Sequence, residues 1–464
     1  MSGALREHRS SLLVAGLSSA FGVVLLSMIG AIDTAARADA VVGDSGTASV
    51  LLTIAASLFI GIALYVSAVV TANTVATIVA GRTRTIALLR LLGSSARRQR
   101  SAVTREGLSV GLVGAGLGAL AGEGVHLLLV LVLRETGVLP PVDYPVVAPV
   151  ALLPVLAVVL TTWAAFRAGS RRVLAVRPMQ ALGASVERSG EEVGHRPVRH
   201  GLAVALIALG TLLLGGGVAV GMVSSFGVVL GFFGGILSFT GIVLAADLVM
   251  PPLLRLVGRA MARTATGRLA AENAVRAPER SARATIGLVI GVALVTTFSV
   301  GLQSYVDMLA RAQQGDPEYY AGIDETFAMT VAVFLVLIGF SALIAAVGMA
   351  NALSLSVLQR SRELGLLRAL GFSKGQLRRM ILAESAQLTI TASAFGVVLG
   401  IAYGWAGAQS LFGSIEGGGL VPPGIPWLLV LLVVLGTGAL AALAAVAPTR
   451  RAVRVTPIEA LAAA

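Results

Sequence analysis

A chain of 464 residues that is 56% hydrophobic and only 12% charged falls well below the roughly 25% charge of a soluble domain. With several apolar runs longer than about 18 residues, it reads as an all-α polytopic membrane protein. The net charge of +12 does not point to nucleic acid, because the arginines collect in one alternating set of loops and no aromatic residues interleave with them for base stacking. The lack of cysteine excludes disulfides, thiol catalysis, thiolate metal sites and lipid attachment through Cys.

Residues 1–10 are polar, with Arg6 and Arg9, and lead into an apolar run at about 11–31. Ala38-Asp39-Ala40 resembles a signal-peptidase site, so a cleaved leader is one reading. Against it, the run exceeds the usual signal core of about 7–15 residues, and the internal repeat needs this run as its first span. Further runs lie at about 48–76, 106–133 and 147–167, then 201–222 and 226–249, then 284–306, 326–354, 379–408 and 426–447. The expectation is about ten transmembrane helices: four, a two-helix hairpin, and four more.

Loop charge orients them. Arg82–Arg105, Arg167–Arg199, Arg255–Arg283, Arg360–Arg379 and Arg450–Arg454 fill one set of loops. The other set carries Asp33, Asp39, Glu135, Asp143, Asp307 and Glu416 among its acids. Every loop of the first set is basic, so the positive-inside rule places it, and both termini, in the cytoplasm.

Two of the basic connectors are copies. RTRTIALLRLLGSSARRQRSAVTREG at 82–107 and RSRELGLLRALGFSKGQLRRMILAES at 360–385 superimpose at a constant shift of 278. The shift pairs Leu88-Leu89-Arg90 with Leu366-Leu367-Arg368, Gly93 with Gly371, Ser95 with Ser373 and Glu106 with Glu384. Gly137-Val-Leu-Pro-Pro and Gly419-Leu-Val-Pro-Pro also correspond, as do Pro178–Leu182 and Pro457–Leu461. The domain expectation is therefore a first four-helix repeat at 1–183, a basic linker and central hairpin at 184–264, and a second, parallel four-helix repeat at 265–464.

Within the connector, Leu366, Leu367 and Leu370 form a small apolar stripe on a short helix, able to fill a groove on a soluble partner. Gly371 fits a helix stop, and Ser373 with Gln376 reads as a capping box that starts the next helix. Arg360, Arg362, Arg368, Arg378 and Arg379 have the chemistry to pair with acidic partner residues or lipid phosphates. The plain alternative is a connector that is merely positive-inside.

These residues carry a resemblance. The connector, the glycine-rich span after it and a final TRRAVRVTPIEAL look like the FtsX/MacB-like permease family of ABC transporters, and RLAAENAVRAPERSARAT at 268–285 resembles that family's lead into a first span. The second half is the closer match, since Thr85 stands where the second half has Glu363. The resemblance implies the membrane subunit of an ABC transporter in a bacterial cytoplasmic membrane, coupled to two copies of a cytoplasmic ATPase. It assigns the coupling role to Arg84, Leu88, Leu89, Arg90, Leu92 and Gly93 and to Arg362, Glu363, Leu366, Leu367, Arg368, Leu370 and Gly371. No GxxxxGK[ST] occurs, so ATP and Mg belong to the partner, with no cofactor in this chain and no catalytic residue. Relatives commonly carry a large extracytoplasmic domain between spans one and two; here those loops are about 16 and 19 residues, too short for a fold.

Four polar residues inside the spans are further candidates. Glu106 and Glu384 lie near the basic ends of matched spans, as structural ion pairs with nearby arginines or as relays of motion. Glu123 and His126 share a helix face near the acidic end of span three. They read either as a proton or cation site or as a pair exposed to water. Asp247 is expected at an interface, and the hairpin glycines, Gly215 to Gly235, to pack helices closely. The functional expectation is export or extraction of a lipid-like or amphiphilic peptide substrate. Two alternatives stand beside it: a mechanical module that activates a cell-wall hydrolase or sensor kinase, and a proton-coupled transporter using Glu123 and His126.

Overall fold

A computed structural model describes residues 9–38, 94–137, 139–145, 151–170, 197–262, 265–276, 278–315, 370–414 and 419–454, with isolated positions between 57 and 72 and between 331 and 342. All regular structure among them is helical. In chain order the helices are α1 (Arg9–Ala38), α2 (Ala96–Glu135), α3 (Leu152–Gly169), α4 (Pro197–Gly221), α5 (Gly227–Leu244), α6 (Ala246–Met261), α7 (Ala265–Arg276), α8 (Pro278–Gly315), α9 (Lys374–Phe412) and α10 (Trp427–Arg454). Helices α1, α2, α3, α4, α5, α8 and α9 are long and apolar enough to cross a bilayer, and α10 adds a shorter apolar stretch at Trp427–Ala439. The chain is an all-α polytopic membrane protein. The spans expected at 48–76 and 326–354 fall largely outside the described residues.

The sequence duplication carries into the backbone. Helices α2 and α9 begin 278 residues apart, behind N-caps of the same geometry: Ser95 at φ −69, ψ 145 and Ser373 at φ −70, ψ 155. They run for 40 and 39 residues. At 1.5 Å per residue each is about 60 Å long, roughly twice the hydrocarbon thickness. Both therefore extend through their arginine-bearing first turns as continuous rods. Beyond them, Gly137 (φ 76) and Gly419 (φ 53) take the left-handed turn that glycine allows. Each is followed two residues later by a buried apolar residue, Leu139 or Val421.

Close helix packing rests on small residues in both halves. A Cβ on Gly118 would strike the Gly16 carbonyl, and one on Gly122 would stand 2.7 Å from the Ala20 carbonyl. Their repeat mates Gly396 and Gly400 meet the carbonyls of Val289 and Ala293 in the same way, at 3.1 and 2.8 Å. Without side chains between them the backbones approach closely, and in the first half Ser19 Oγ donates to Ala115 O at 2.8 Å. The hairpin uses the same device at Gly210, Gly217, Gly227 and Gly234. Gly215, Gly216 and Gly235 depart from the expectation, because nothing described lies within 4 Å of their added Cβ.

The main core joins the halves. Phe21 and Leu25 of α1, Met250 and Leu254 of α6, Val289 and Phe298 of α8, and Leu388 of α9 form one buried cluster. Helix α5 stops at Leu244, short of the expected 249, and the chain turns at Ala245 into α6. The reason lies in composition: α6 buries Met250 and Leu254 but exposes Arg255 and Arg259, so its polar face does not belong in hydrocarbon.

Candidate functional site

The candidate site is the arginine-rich end of α2 and α9, where each rod meets the connector before it. Of the predicted coupling residues, Arg84, Leu88, Leu89, Arg90, Leu92, Gly93, Arg362, Glu363, Leu366, Leu367 and Arg368 lie outside the described residues. Leu370 and Gly371 are described. The Leu370 side chain is 75% exposed, with no described core to enter. Gly371 sits at φ +95, the left-handed conformation that ends a helix. Ser373 then closes a full capping box: Gln376 N–H donates to Ser373 Oγ at 3.2 Å, and Ser373 N–H donates to Gln376 Oε1 at 2.9 Å. In the first half Arg98 replaces Gln376, so Ser95 keeps only one such bond, from Arg98 N–H at 3.2 Å. Both elbows are rigidly started helices, and the second is the more fully tied.

A shelf braces the second rod directly behind its elbow. Leu377, Met380 and Ile381 of α9 are buried with Ala270 of α7. Gln387 Nε2 donates to the Leu254 carbonyl of α6 at 2.8 Å. Glu384 lies on this inward side of α9, 5% exposed and engaged by a neighbour, and its repeat mate Glu106 is likewise engaged.

At the opposite end the rods are capped by the Gly-x-x-Pro-Pro segments. Trp405 Nε1–H donates to the Val421 carbonyl at 2.6 Å, and Gly424 N–H donates to Ser304 Oγ at 3.1 Å, tying the segment to α9 and α8. In the first half Tyr144 OH donates to the Pro140 carbonyl at 2.9 Å. His126 sits under this segment, 1% exposed, and Ser27 Oγ of α1 lies 3.5 Å from Glu123 Oε2. The structure therefore sets Glu123 against α1 and buries His126, so the two do not lie on an open surface. Glu123 Oε1 and His126 Nδ1 are buried atoms without a hydrogen-bond partner. Position 126 matches Gly404, where the second half keeps close helix contact against Thr297 and Val300.

The FtsX-like permease C-terminal family matches residues 57–173 and again 335–457. The two matches begin 278 residues apart, the shift that relates the two basic connectors, and together they cover more than half of the chain. The chain belongs to the FtsX-like permease family. Among curated proteins it resembles two from Bacillus subtilis (strain 168). One is an uncharacterised ABC transporter permease, YknZ, 33% identical over 144 residues, which are 31% of this chain and 34% of that protein. The other is the ABC transporter permease YtrF, 29% identical over 145 residues, 29% of this chain and 33% of that protein. The chain thus spans about a third of the length of these relatives.

Two polar clusters of this FtsX-like permease bring together residues that no local sequence pattern pairs. Asp247, expected at an interface, is 7% exposed. It is held by Arg199 Nη1 at 3.0 Å, with His200 Nε2 at 3.7 Å, while Arg199 Nη2 donates to the Leu244 carbonyl at 2.7 Å. This group clasps the hairpin at its arginine-rich end. The second cluster lies in α5, where Phe239 packs edge-on between Tyr65 and Tyr403. Tyr65 OH meets Thr240 Oγ1 and Tyr403 OH meets Ser238 Oγ, both at 2.9 Å. A signal for it exists, because the repeat mates of these tyrosines are Leu343 and Val125.

Proposed function

We propose that this chain is the non-catalytic membrane subunit of an ABC transporter complex, driven by two copies of a separate cytoplasmic ATPase that binds ATP and Mg. The arginine-rich ends and both termini face the cytoplasm of a bacterial cell, in keeping with the positive-inside rule. The observation that carries the reading is the matched pair of elbows. Each sets a capped helix that crosses the membrane without a break. Such a rod transmits a push at one end to the other, as coupling to a motor requires. The exposed Leu370 is an apolar contact offered beyond the braced part of α9. The leucines at 88–92 and 366–370 would fill a groove on each ATPase copy, with Arg84, Arg90, Arg362 and Arg368 pairing with acids at its rim.

The substrate class we propose is a lipid-like or amphiphilic peptide, exported or extracted from the membrane. Apolar side chains dominate the exposed faces of α2, α3 and α4, and the short acidic-end segments leave room for no capture domain. The test is affinity purification of the full chain from its own cell, with activity measured in liposomes. An ATPase should co-purify, and Leu88→Asp with Leu366→Asp should release it. Purification without an ATPase, or full activity in that double variant, would sink the proposal.

One observation favours a second reading, proton coupling: the buried, unpartnered atoms of Glu123 and His126. It predicts transport without an ATPase and loss of transport in Glu123→Gln.

A further inference from the structure

Small residues let α1 and α2 run side by side, and one position breaks the pattern. A Cβ added to Gly114, Gly118 or Gly122 would meet the carbonyl of Leu12, Gly16 or Ala20, so this row of α2 faces α1. Val130 continues the row, packed in one buried cluster with Val24 and Met28 of α1. Between them, at the same spacing of four, stands the buried His126. Its counterpart in the second half is Gly404, where a Cβ would stand 2.5 Å from the Thr297 carbonyl. An imidazole thus occupies a place that the other half gives to close helix contact.

Glu123 precedes His126 by three residues, which sets their Cβ atoms about 5–6 Å apart on one face of α2. Ser27 of α1 stands on the same side, its Oγ 3.5 Å from Glu123 Oε2. His126 hydrogen-bonds the backbone of Pro145. Proline offers only a carbonyl, so the imidazole is the donor. Nδ1 has no partner, and the bond is therefore made by Nε2–H. The neutral ring then presents Nδ1 as an acceptor. Glu123 Oε1 is a second buried acceptor without a partner. Ion pairs among the described residues do not include Glu123.

Two buried acceptors left open, one of them on a carboxylate, fit a donor that carries positive charge. A metal ion fits less well, because no three His, Asp or Glu side chains of the described residues come together as ligands. A primary ammonium has three N–H donors, enough for both acceptors. The cover over the pair is also the less fastened of the two outer segments. Trp405, Gln409 and Ser304 tie residues 419–424 in the second half. Trp405 and Gln409 are matched by Leu127 and Leu131, which offer no such bonds above His126.

We infer that Glu123 Oε1 and His126 Nδ1 receive a primary ammonium group, the head of the amphiphile that this chain handles. This rests on the proposed amphiphile substrate and adds the chemistry of its head. It gives to a ligand the atoms that proton coupling would give to a proton.

The test is thermal unfolding of the full chain in an uncharged detergent, titrated with hexylammonium. Hexanol, which lacks the charge, and hexyltrimethylammonium, which lacks the N–H donors, serve as matched probes. Hexylammonium should raise the midpoint in a saturable way, and the other two should not. Glu123→Gln should weaken the apparent affinity about thirtyfold, the low end of the loss when one side of a buried, hydrogen-bonded charge pair is removed. His126→Gly, the residue of the second half, should weaken it about tenfold. Equal shifts with all three probes, or with sodium chloride at the same concentration, would overturn the inference. So would an unchanged affinity in Glu123→Gln, or in Glu123→Ala should the first variant fail to fold. Transport driven by a pH gradient and lost in Glu123→Gln, with no shift from hexylammonium, would overturn it in favour of a proton. The measurement needs no ATPase, so its failure leaves the ATP-driven reading standing, and a missing ATPase leaves the site standing.

Discussion

Gly116 and Gly118 lie two positions apart on α2 in different surroundings. A Cβ on Gly116 meets nothing described within 4 Å, whereas one on Gly118 strikes the Gly16 carbonyl. Gly118→Ala should therefore destabilise by about 1–3 kcal/mol through overpacking. Gly116→Ala should be neutral or up to about 1 kcal/mol stabilising, since alanine favours the helix. Denaturant unfolding in detergent separates the two. At Asp247, removal of the carboxylate leaves Arg199 facing the Leu244 carbonyl alone. Asp247→Ala should cost about 2 kcal/mol, less than the ~3–5 kcal/mol of a fully buried pair because the Arg199 side chain retains 35% exposure. Thermal unfolding in detergent checks it, and an unchanged midpoint would show the clasp to be idle. At this scale the sequence was legible where chemistry is local. The Ser373 and Gln376 capping box and the turn at Gly371 follow from residues within a few positions of each other. Asp247 was not legible, because its partner Arg199 is distant in the chain and no local pattern pairs them.

The apolar runs at about 106–133 and 379–408 lie inside longer helices that start at Ala96 and Lys374, the second where the Ser373 capping box sets it. At α2 the arginines read as loop residues belong to the helix; Arg is a good helix former, and Ser95 caps the helix before them. The longer rods are what the proposed coupling would act through. Ser373→Ala and Ser95→Ala should each cost about 1 kcal/mol, because each removes one Oγ acceptor, whereas Gln376→Ala also frees the Ser373 N–H and has no counterpart at Arg98. Thermal unfolding reads all three, and no loss in Gln376→Ala would contradict the asymmetry of the elbows. Conversely, the end of α5 at Leu244 was hidden because apolar residues run on to Met250 with Asp247 alone among them. The break shows in the amphipathic character of α6 beyond it.

Across the whole molecule, the repeat was readable because ungapped identity survives at one shift, and the family matches begin at that same shift. The hairpin helices were readable too, as the apolar runs at about 201–222 and 226–249. The attachment of the hairpin to Tyr65 and Tyr403 was not, since both look like ordinary span residues until Leu343 and Val125 are set beside them. Duplication supplies two matched elbows, the docking points proposed for the ATPase, and the hairpin leaves the halves unequal. The central claim is that these elbows receive work from an ATPase. It is tested most directly by ATP hydrolysis of the partner ATPase in liposomes, alone and with this chain, with Leu366→Asp and Leu88→Asp introduced singly and together. The account predicts that the chain stimulates hydrolysis, that each single variant lowers the stimulation, and that the double variant abolishes it. Full stimulation in the double variant would contradict the account.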